Sequence, residues 1–472
     1  MKNLRVSSDM QRQQKTSYED SSAKNRLETE GMHRVPSVSL ASPKEASSAS
    51  SDNLIEQILS RENMTKALER VEKNKGSHGV DGMRVDELRP FLKQEWMSIK
   101  ESILMGKYKP NAVRRVEIPK PDGGVRLLGI PTVLDRLIQQ AIAQVLTGIF
   151  DPHFSGNSYG FRPGKSAHEA VLQAKEYMNQ GYKYVVDIDL EKFFDRVNHD
   201  ILMHRISKRV KDKRVLKLIR RYLQSGILLD GIVVKSEEGT PQGGPLSPLL
   251  ANILLDDLDK ELEKRGHKFC RYADDVNIYT KSKRAGQRVM ESVTAYLEKK
   301  LRLKVNKEKS AVDRPTRRKF LGFSFYTAKG GYNIRIHPKS IKRLKDKVRA
   351  ITARNWSTSM EGRIKKLNQV TVGWMNYFAL ANAKNIAKSL DEWIRRRLRM
   401  CIWKQWKKPK TRIKNLTKFG IPKHKAYEWG NTRKGYWRIA NSPILSRSLT
   451  NEYFNSLSYQ SLSARYRKMQ LT

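Results

Sequence analysis

Tyr272-Ala273-Asp274-Asp275 lies between two runs, His267-Lys268-Phe269-Cys270-Arg271 and Val276-Asn277-Ile278-Tyr279-Thr280. Short β-type runs on either side of a two-residue polar step, Asp274-Asp275, predict a hairpin whose tip carries a fixed pair of carboxylates. Two adjacent anions repel each other unless a cation sits between or beside them. Taken alone, the stretch reads more readily as a solvated turn. A second acidic constellation shifts that balance.

In Asp187-Ile188-Asp189-Leu190-Glu191-Lys192-Phe193-Phe194-Asp195, a β-rich run from Lys183 ends in an acid and passes into a predicted helix reaching about Ile206. That places Asp189 at the edge of a sheet, although a helix N-cap explains an acid there equally well. If the same sheet contains the Asp274-Asp275 hairpin, three carboxylates converge. Hard oxygen donors of this kind suit Mg2+, which keeps several waters and is shared with substrate phosphates. Two such ions about 4 Å apart would activate a hydroxyl and stabilise a departing pyrophosphate.

The 472 residues carry a formal net charge of +45, with a pI near 10.2. Such a surface calls for a polyanionic partner, and nucleic acid is the first candidate. An anionic membrane surface is the rival, but no apolar run is long enough to span a bilayer. The first residues lack the apolar core of a signal peptide. With only Cys270 and Cys401, neither a disulfide framework nor a cysteine-rich zinc site is available. A reducing cytoplasm is the expected compartment.

Residues 1–52 are rich in Ser, Gln, Lys and Glu without apolar periodicity, and are expected to be a disordered tail. A helical pattern from Leu54 breaks at the glycine-punctuated loop 75–82, within an expected helical extension over 53–106. Strands and turns follow between Tyr108 and Ile130, with Pro121-Asp122-Gly123-Gly124 as a hairpin tip. Leu246 to Leu262 predicts a buried helix, and Val289, Met290, Val293, Leu297 and Leu301 mark an amphipathic one. Leu303 and Val305 alternate as a strand, as do Phe323 and Phe325. This schedule predicts an α+β region with an antiparallel sheet over 107–336. Beyond it the chain turns helical and basic: from residue 335 onward there are 33 Lys and Arg against 6 Asp and Glu. Uncompensated charge of that size destabilises a compact fold unless a polyanion binds it.

The Tyr272–Asp275 stretch and the Asp189-x3-Phe193-Phe194 run resemble the palm motifs of reverse transcriptases, and most closely those of group II intron-encoded reverse transcriptase/maturases. Ser158-Tyr159-Gly160-Phe161-Arg162-Pro163-Gly164-Lys165-Ser166 resembles a signature of that lineage. Gly239-Thr240-Pro241-Gln242-Gly243-Gly244-Pro245-Leu246-Ser247-Pro248 resembles its template-and-nucleotide motif, and Phe320-Leu321-Gly322-Phe323 its primer grip. Gly373-Trp374-Met375-Asn376-Tyr377-Phe378 resembles an aromatic maturase motif, and residues from Gly435 to Phe454 a DNA-binding region.

The resemblance implies a right-hand polymerase with fingers and palm over 107–336. A thumb/maturase domain over 337–410 and a basic DNA-binding region over 411–472 would follow. It implies that Asp189 and Asp274 hold two Mg2+ ions, with Asp275 supporting and the Leu190 carbonyl as a further ligand. Lys120 and Arg126 would neutralise an incoming dNTP, Phe194 would exclude a 2′-hydroxyl, Gln242 would lie near the nucleotide, and Lys309 would assist pyrophosphate departure. Arg162, Lys342, Arg343, Arg395, Arg396 and Arg397 would bind RNA or DNA. The implied partners are intron RNA and a DNA primer or target. Many relatives add an endonuclease with cysteine pairs; lacking Cys-x-x-Cys, this chain is expected to fall in an endonuclease-lacking lineage. A splicing-only RNA-binding protein and a host-adopted enzyme remain the alternatives.

Overall fold

The computed structural model describes residues 53–119, 124–229, 232–234, 238–240 and 243–471. The expected tail, residues 1–52, lies outside them. The chain divides into two compact units, Met1–Asp313 and Arg314–Thr472.

The first unit is built on two four-stranded sheets. In one, β1 (Val113–Pro119) and β2 (Val125–Ile130) form the expected hairpin, whose tip at residues 120–123 lies outside the described residues. β4 (Ile227–Leu229) joins β1 in parallel and β5 (Ile232–Val234) pairs with β4. The parallel step departs from the expected antiparallel sheet. It is possible because a long, largely helical connection from Val133 to Leu223 carries the chain back to the same end.

The other sheet carries the acids and is antiparallel throughout, with Lys268–Tyr272 and Ala311–Asp313 at its edges and Asp275–Thr280 and Tyr184–Ile188 between them. It consists of β3 (Tyr184–Ile188), β6 (Lys268–Tyr272), β7 (Asp275–Thr280) and β8 (Ala311–Asp313). Val185, Val186 and Ile188 of β3 are buried, as are Val276 and Ile278 of β7. The predicted buried helix and the predicted amphipathic helix are present as Ser247–Lys264 and Lys283–Lys300. The second begins at Ser282, whose hydroxyl accepts the Ala285 N–H, and it packs on β3, β7 and β8.

Two local expectations change. Phe193–Asp195 forms a single 3-10 turn, and the helix proper starts at His199 under an Asn198 cap. Leu303 and Val305 form no strand; Val305 makes only an isolated bridge to Leu190. The chain there covers the end of β3 before it can enter the sheet as β8.

The second unit opens with the hairpin β9 (Phe323–Ala328) and β10 (Gly331–Ile336). Helices follow, the longest being Pro338–Ile351, Met360–Phe378 and Lys384–Gln405. Phe323 meets Tyr377 and Phe378 with ring centroids 5.3 and 5.0 Å apart. Trp374 packs on Phe378 at 4.8 Å, which places it in this local core. The final helix, Leu462–Leu471, is anchored by a buried carboxylate: Asp391 accepts from the Tyr459 hydroxyl at 2.9 Å, from the Ser461 and Ser463 hydroxyls at 2.7 and 2.6 Å, and from the Leu462 and Ser463 N–H groups at 2.8 Å each. A carboxylate at a helix N-terminus is favoured by both dipole and orphan donors.

Asp391→Ala would leave several of these buried donors without an acceptor, a loss of about 3 kcal/mol. Amide hydrogen exchange should then rise across residues 459–471 while β3 and β7 stay protected.

Candidate active site

Antiparallel pairing of β3 with β7 runs to Ile188 opposite Val276. One further step along that register sets Asp189 alongside Asp275. Tyr272 pairs with Asp275, so the hairpin loop is Ala273-Asp274 rather than Asp274-Asp275. Asp275 is therefore the exposed first residue of β7, and Asp274 alone occupies the turn, half-buried. The shift by one residue separates the two acids into different environments.

The backbone of Asp189 is fixed on both sides. Its N–H donates to the Ser310 hydroxyl at 3.0 Å, and its carbonyl accepts the Asn306 N–H at 2.8 Å. Burial raises the Asp274 carboxyl above the usual carboxylate range, and the charge of Asp189 raises it further, against the opposing pull of Arg126 and Arg271. Asp189 and Asp274 thus share one electrostatic site, and Arg126, exposed on β2, reaches it. Lys309 Nζ stands 4.0 Å from Asp189 Oδ2.

A second layer locks the turn. Arg271 is fully buried and forms a bidentate pair with Asp259 at 2.8 and 2.6 Å. Its remaining donor reaches Asn252 Oδ1 at 2.9 Å and the Ala273 carbonyl at 3.0 Å. Ala273 has φ +57°, the left-handed region that a β-carbon disfavours. Asn252 in turn donates to the Gly160 carbonyl at 2.9 Å. Gly160 abuts the turn so closely that a β-carbon on it would lie 2.3 Å from the Ala273 nitrogen. On either side of Ser158, the Tyr159 N–H donates to the Arg271 carbonyl at 2.8 Å and the Arg271 N–H to the Asn157 carbonyl at 2.9 Å. The 158–166 motif therefore buttresses the acidic turn from behind.

Arg271, Asp259 and Asn252 were not singled out from the sequence, yet a signal existed. An arginine inside the β-type run Phe269-Cys270-Arg271, and two polar residues seven apart on a helix read as buried, each require partners when desolvated. Only the fold pairs them.

The remaining candidates separate. Phe194 is half-buried, its ring 5.1 Å from that of Phe193. The Thr240 N–H donates to the Phe194 carbonyl at 2.6 Å and the Gly239 N–H to the Val197 carbonyl at 2.8 Å. Gly239, at φ +93°, leaves room for this contact: a β-carbon would meet the Phe194 carbonyl oxygen at 2.9 Å. The template-type motif thus starts directly on Phe194, while Gln242 itself and Lys120 lie outside the described residues. Around Leu190 the bridge to Val305 runs through the Glu191 N–H and the Asp189 carbonyl, which leaves the Leu190 carbonyl out of the pairing. Arg162 is turned inward, donating to Asp151 Oδ1 at 2.7 Å and to the carbonyls of Ser155, Ser158 and Asp151. It holds its loop instead of facing a ligand. In the second unit Lys342 and Arg343 are exposed, Arg395 is half-buried, and Arg396 and Arg397 pack on tryptophans.

Among the described residues no three His, Cys, Asp or Glu side chains form a metal-binding group. The donor set around Asp189 and Asp274 is two carboxylates and a backbone oxygen, all hard, with mutual repulsion that a divalent cation relieves. That chemistry fits Mg2+, which takes few protein ligands and keeps its waters.

Acids converging at the ends of the two central strands of an antiparallel sheet, with Arg126 acting on the same charge, are an arrangement suited to a polymerase of the nucleotidyltransferase class. Residues 118–325 match the family described as reverse transcriptase (RNA-dependent DNA polymerase). Residues 341–420 match the maturase-specific domain of group II introns. Protein YkfC of Escherichia coli strain K12 is 32% identical over 279 residues, spanning 51% of this chain and 73% of that protein. The group II intron-encoded protein LtrA of Lactococcus lactis subsp. cremoris is 38% identical over 206 residues, 43% of this chain and 34% of LtrA. A solved partial Cas6-RT-Cas1–Cas2 complex aligns at 28% identity and a TM-score of 0.35 over 52% of this chain and 42% of that one. The chain belongs to the group II intron reverse transcriptase/maturase family.

Gly160→Ala should displace the Ala273-Asp274 turn while sparing the core, because the clash is with backbone that cannot rotate away. The expected outcome is primer extension reduced by an order of magnitude or more with a melting temperature close to wild type.

Proposed function

We propose that the first unit is an RNA-directed DNA polymerase that extends a DNA 3′ end on group II intron RNA. The second unit, on this reading, binds the intron RNA to promote splicing and mobility. The observation that carries it is the convergence of Asp189 and Asp274 at the ends of the two central strands, with Arg126 close enough to act on the same charge. Asp189, Asp274 and the Leu190 carbonyl would hold two Mg2+ ions, with Asp275 as an outer support. When bound, such ions lower the pKa of an attacking hydroxyl and neutralise charge on the departing pyrophosphate.

The chain's own residues do the rest. Arg126 and Lys120 neutralise the triphosphate of a dNTP. Phe194, held by Phe193 and by Thr240 on its carbonyl, sets its ring against the sugar and excludes a 2′-hydroxyl. Gln242 borders the nucleotide, and Lys309, already beside Asp189, supplies a proton or positive charge to the leaving group. Lys342, Arg343 and Arg395 lie on helices without flanking acids in excess and contribute to RNA and DNA binding. The domain limits 53–106, 107–336, 337–410 and 411–472 remain our assignment, as does a cytoplasmic location. Among the described residues no helix is long and apolar enough to cross a membrane.

Asp274→Asn tests the metal reading in two ways. Primer extension should be abolished with intron-RNA binding retained; extension at the wild-type rate would exclude the mechanism. In chelator the sign of the stability effect follows from the raised carboxyl. The folded chain binds that proton more tightly than the unfolded chain, so stability is lost as pH rises through the folded value. At neutral pH, Asp274→Asn should therefore melt no lower than wild type. Adding Mg2+ should raise the melting temperature of wild type alone.

Phe194→Ala should increase ribonucleotide incorporation relative to dNTP incorporation on the same primer and template. An unchanged ratio would remove Phe194 from sugar selection.

A further inference from the structure

The second unit contains a cavity of about 1070 Å3 that the polymerase chemistry does not use. It lies among the helices Pro338–Ile351 and Lys384–Gln405 and the short helix Tyr436–Ile439. Arg349, Arg354, Arg397, Lys404 and Arg438 line it, and no carboxylate does. Asp346 pairs with Arg349 from outside the cavity. Arg397 is fixed by hydrogen bonds to the Thr352 hydroxyl at 2.8 Å and to the carbonyls of Arg349 and Thr352 at 3.2 Å each, so its position is set without a counter-ion. Burial first, and then Arg349 and Arg354 among its cationic neighbours, lowers its pKa. Gathering cations around a partly desolvated space is unfavourable unless an anion enters it.

Two aromatic rings share the cavity. Arg396 lies over the Trp437 indole at 3.9 Å, and its Nη2 donates to the Trp437 carbonyl at 3.0 Å. With Arg396 over it and Arg397 5.8 Å from the ring centroid, Trp437 is still 39% exposed. Arg354 and Lys404 stand 5.2 and 5.3 Å from the Tyr436 ring. Tyr436 is half-buried against Met400, Cys401 and Ala440, but a solvated basic face would need neither a cavity nor an exposed indole braced by a guanidinium group. Phosphate alone would be served by the cations and would leave the rings idle.

We propose that this cavity captures a single unpaired nucleotide of a nucleic-acid strand. Its base stacks on the exposed part of the Trp437 indole, and its flanking phosphates rest on Arg354, Lys404 and Arg438. Aromatic faces bind splayed-out bases irrespective of sequence, and guanidinium groups suit phosphate. The inference rests on the reading of this chain as one that binds intron RNA. It adds where an unpaired position is recognised and by which groups.

The test uses the full chain and a twelve-nucleotide uridine strand with one central 2-aminopurine, alongside its thymidine counterpart. Binding should quench the 2-aminopurine. Trp437→Ala should abolish the quench and weaken single-strand binding by about five- to a hundredfold, since stacking contributes about 1–3 kcal/mol per base. Trp437→Phe should retain part of both, and a fully paired RNA duplex of equal length should bind Trp437→Ala as it binds wild type. Arg354→Glu with Lys404→Glu, on the solvent side of the cavity, should weaken the single strand and flatten its salt dependence. Quenching of either sugar series supports the site, and the tighter one identifies the strand it holds.

Unaltered quenching in Trp437→Ala would overturn the proposal, as would equal losses for duplex and single strand, or displacement of the strand by polyglutamate as readily as by unlabelled oligonucleotide. If wild type binds structured intron RNA but never quenches the probe, this site fails alone. If wild type binds no RNA at all, the broader reading fails with it.

Discussion

The buried pair of Arg271 with Asp259 is the interaction on which the geometry of the acidic turn depends. A fully desolvated ion pair contributes little net stability, because dehydration offsets the attraction, whereas removing one partner costs about 3–5 kcal/mol. Its value here is positional. Arg271 has five donors in a rigid fork; two engage Asp259, and the far side of the fork reaches Asn252 and the Ala273 carbonyl. That last bond holds a non-glycine residue in a left-handed conformation, at a cost of about 1–3 kcal/mol elsewhere compensated. The strain is what lets a two-residue loop turn Asp274 toward Asp189. A hydrophobic pair of the same volume would fill the space and leave the turn free to relax.

The same network joins segments far apart in the chain. Gly160 contributes the absence of a side chain, Asn252 a bridging amide, Asp259 a counter-charge, and all three meet one strand end. On the opposite side Gly239 and Thr240 rest on the Phe194 turn. The acids are thus fixed from behind and the Phe194 turn from the side, with Arg126 exposed on β2 and Lys309 beside Asp189 at the surface. Against this local concentration of negative charge stands the positive excess of the second unit, which has few acids to neutralise it. On the proposed function, opposite signs divide the labour: carboxylates for a cation and chemistry, guanidinium and ammonium groups for a polyanion.

Much of this was legible before any fold was in view. The β-type runs at residues 183–189, 267–271 and 276–280 pointed to the strands that form there, shifted by about a residue at their ends. The apolar spacing from Leu246 and from Val289 predicted the helices that cover them. Boundaries were less secure. The hairpin loop moved by one residue, because loop register depends on which backbone conformation tertiary contacts hold at Ala273. Leu303 and Val305 failed as a strand because a two-residue alternation has no partner unless the sheet supplies one. Arg162 was expected to face nucleic acid, and its donors instead close a loop onto Asp151; composition gives a charge but no direction.

The sequence by itself determined the chemical inventory: the acids, the aromatic beside Asp189, the glycine-bearing motifs and the basic helical half. These are properties of residue type and spacing, and local physics is enough to read them. The tertiary structure decided which acids meet, because convergence of Asp189 with Asp274 depends on strand order and register between segments some 85 residues apart. It also decided which charges are buried in pairs and which gather around a cavity, since desolvation exists only once the chain has folded around them.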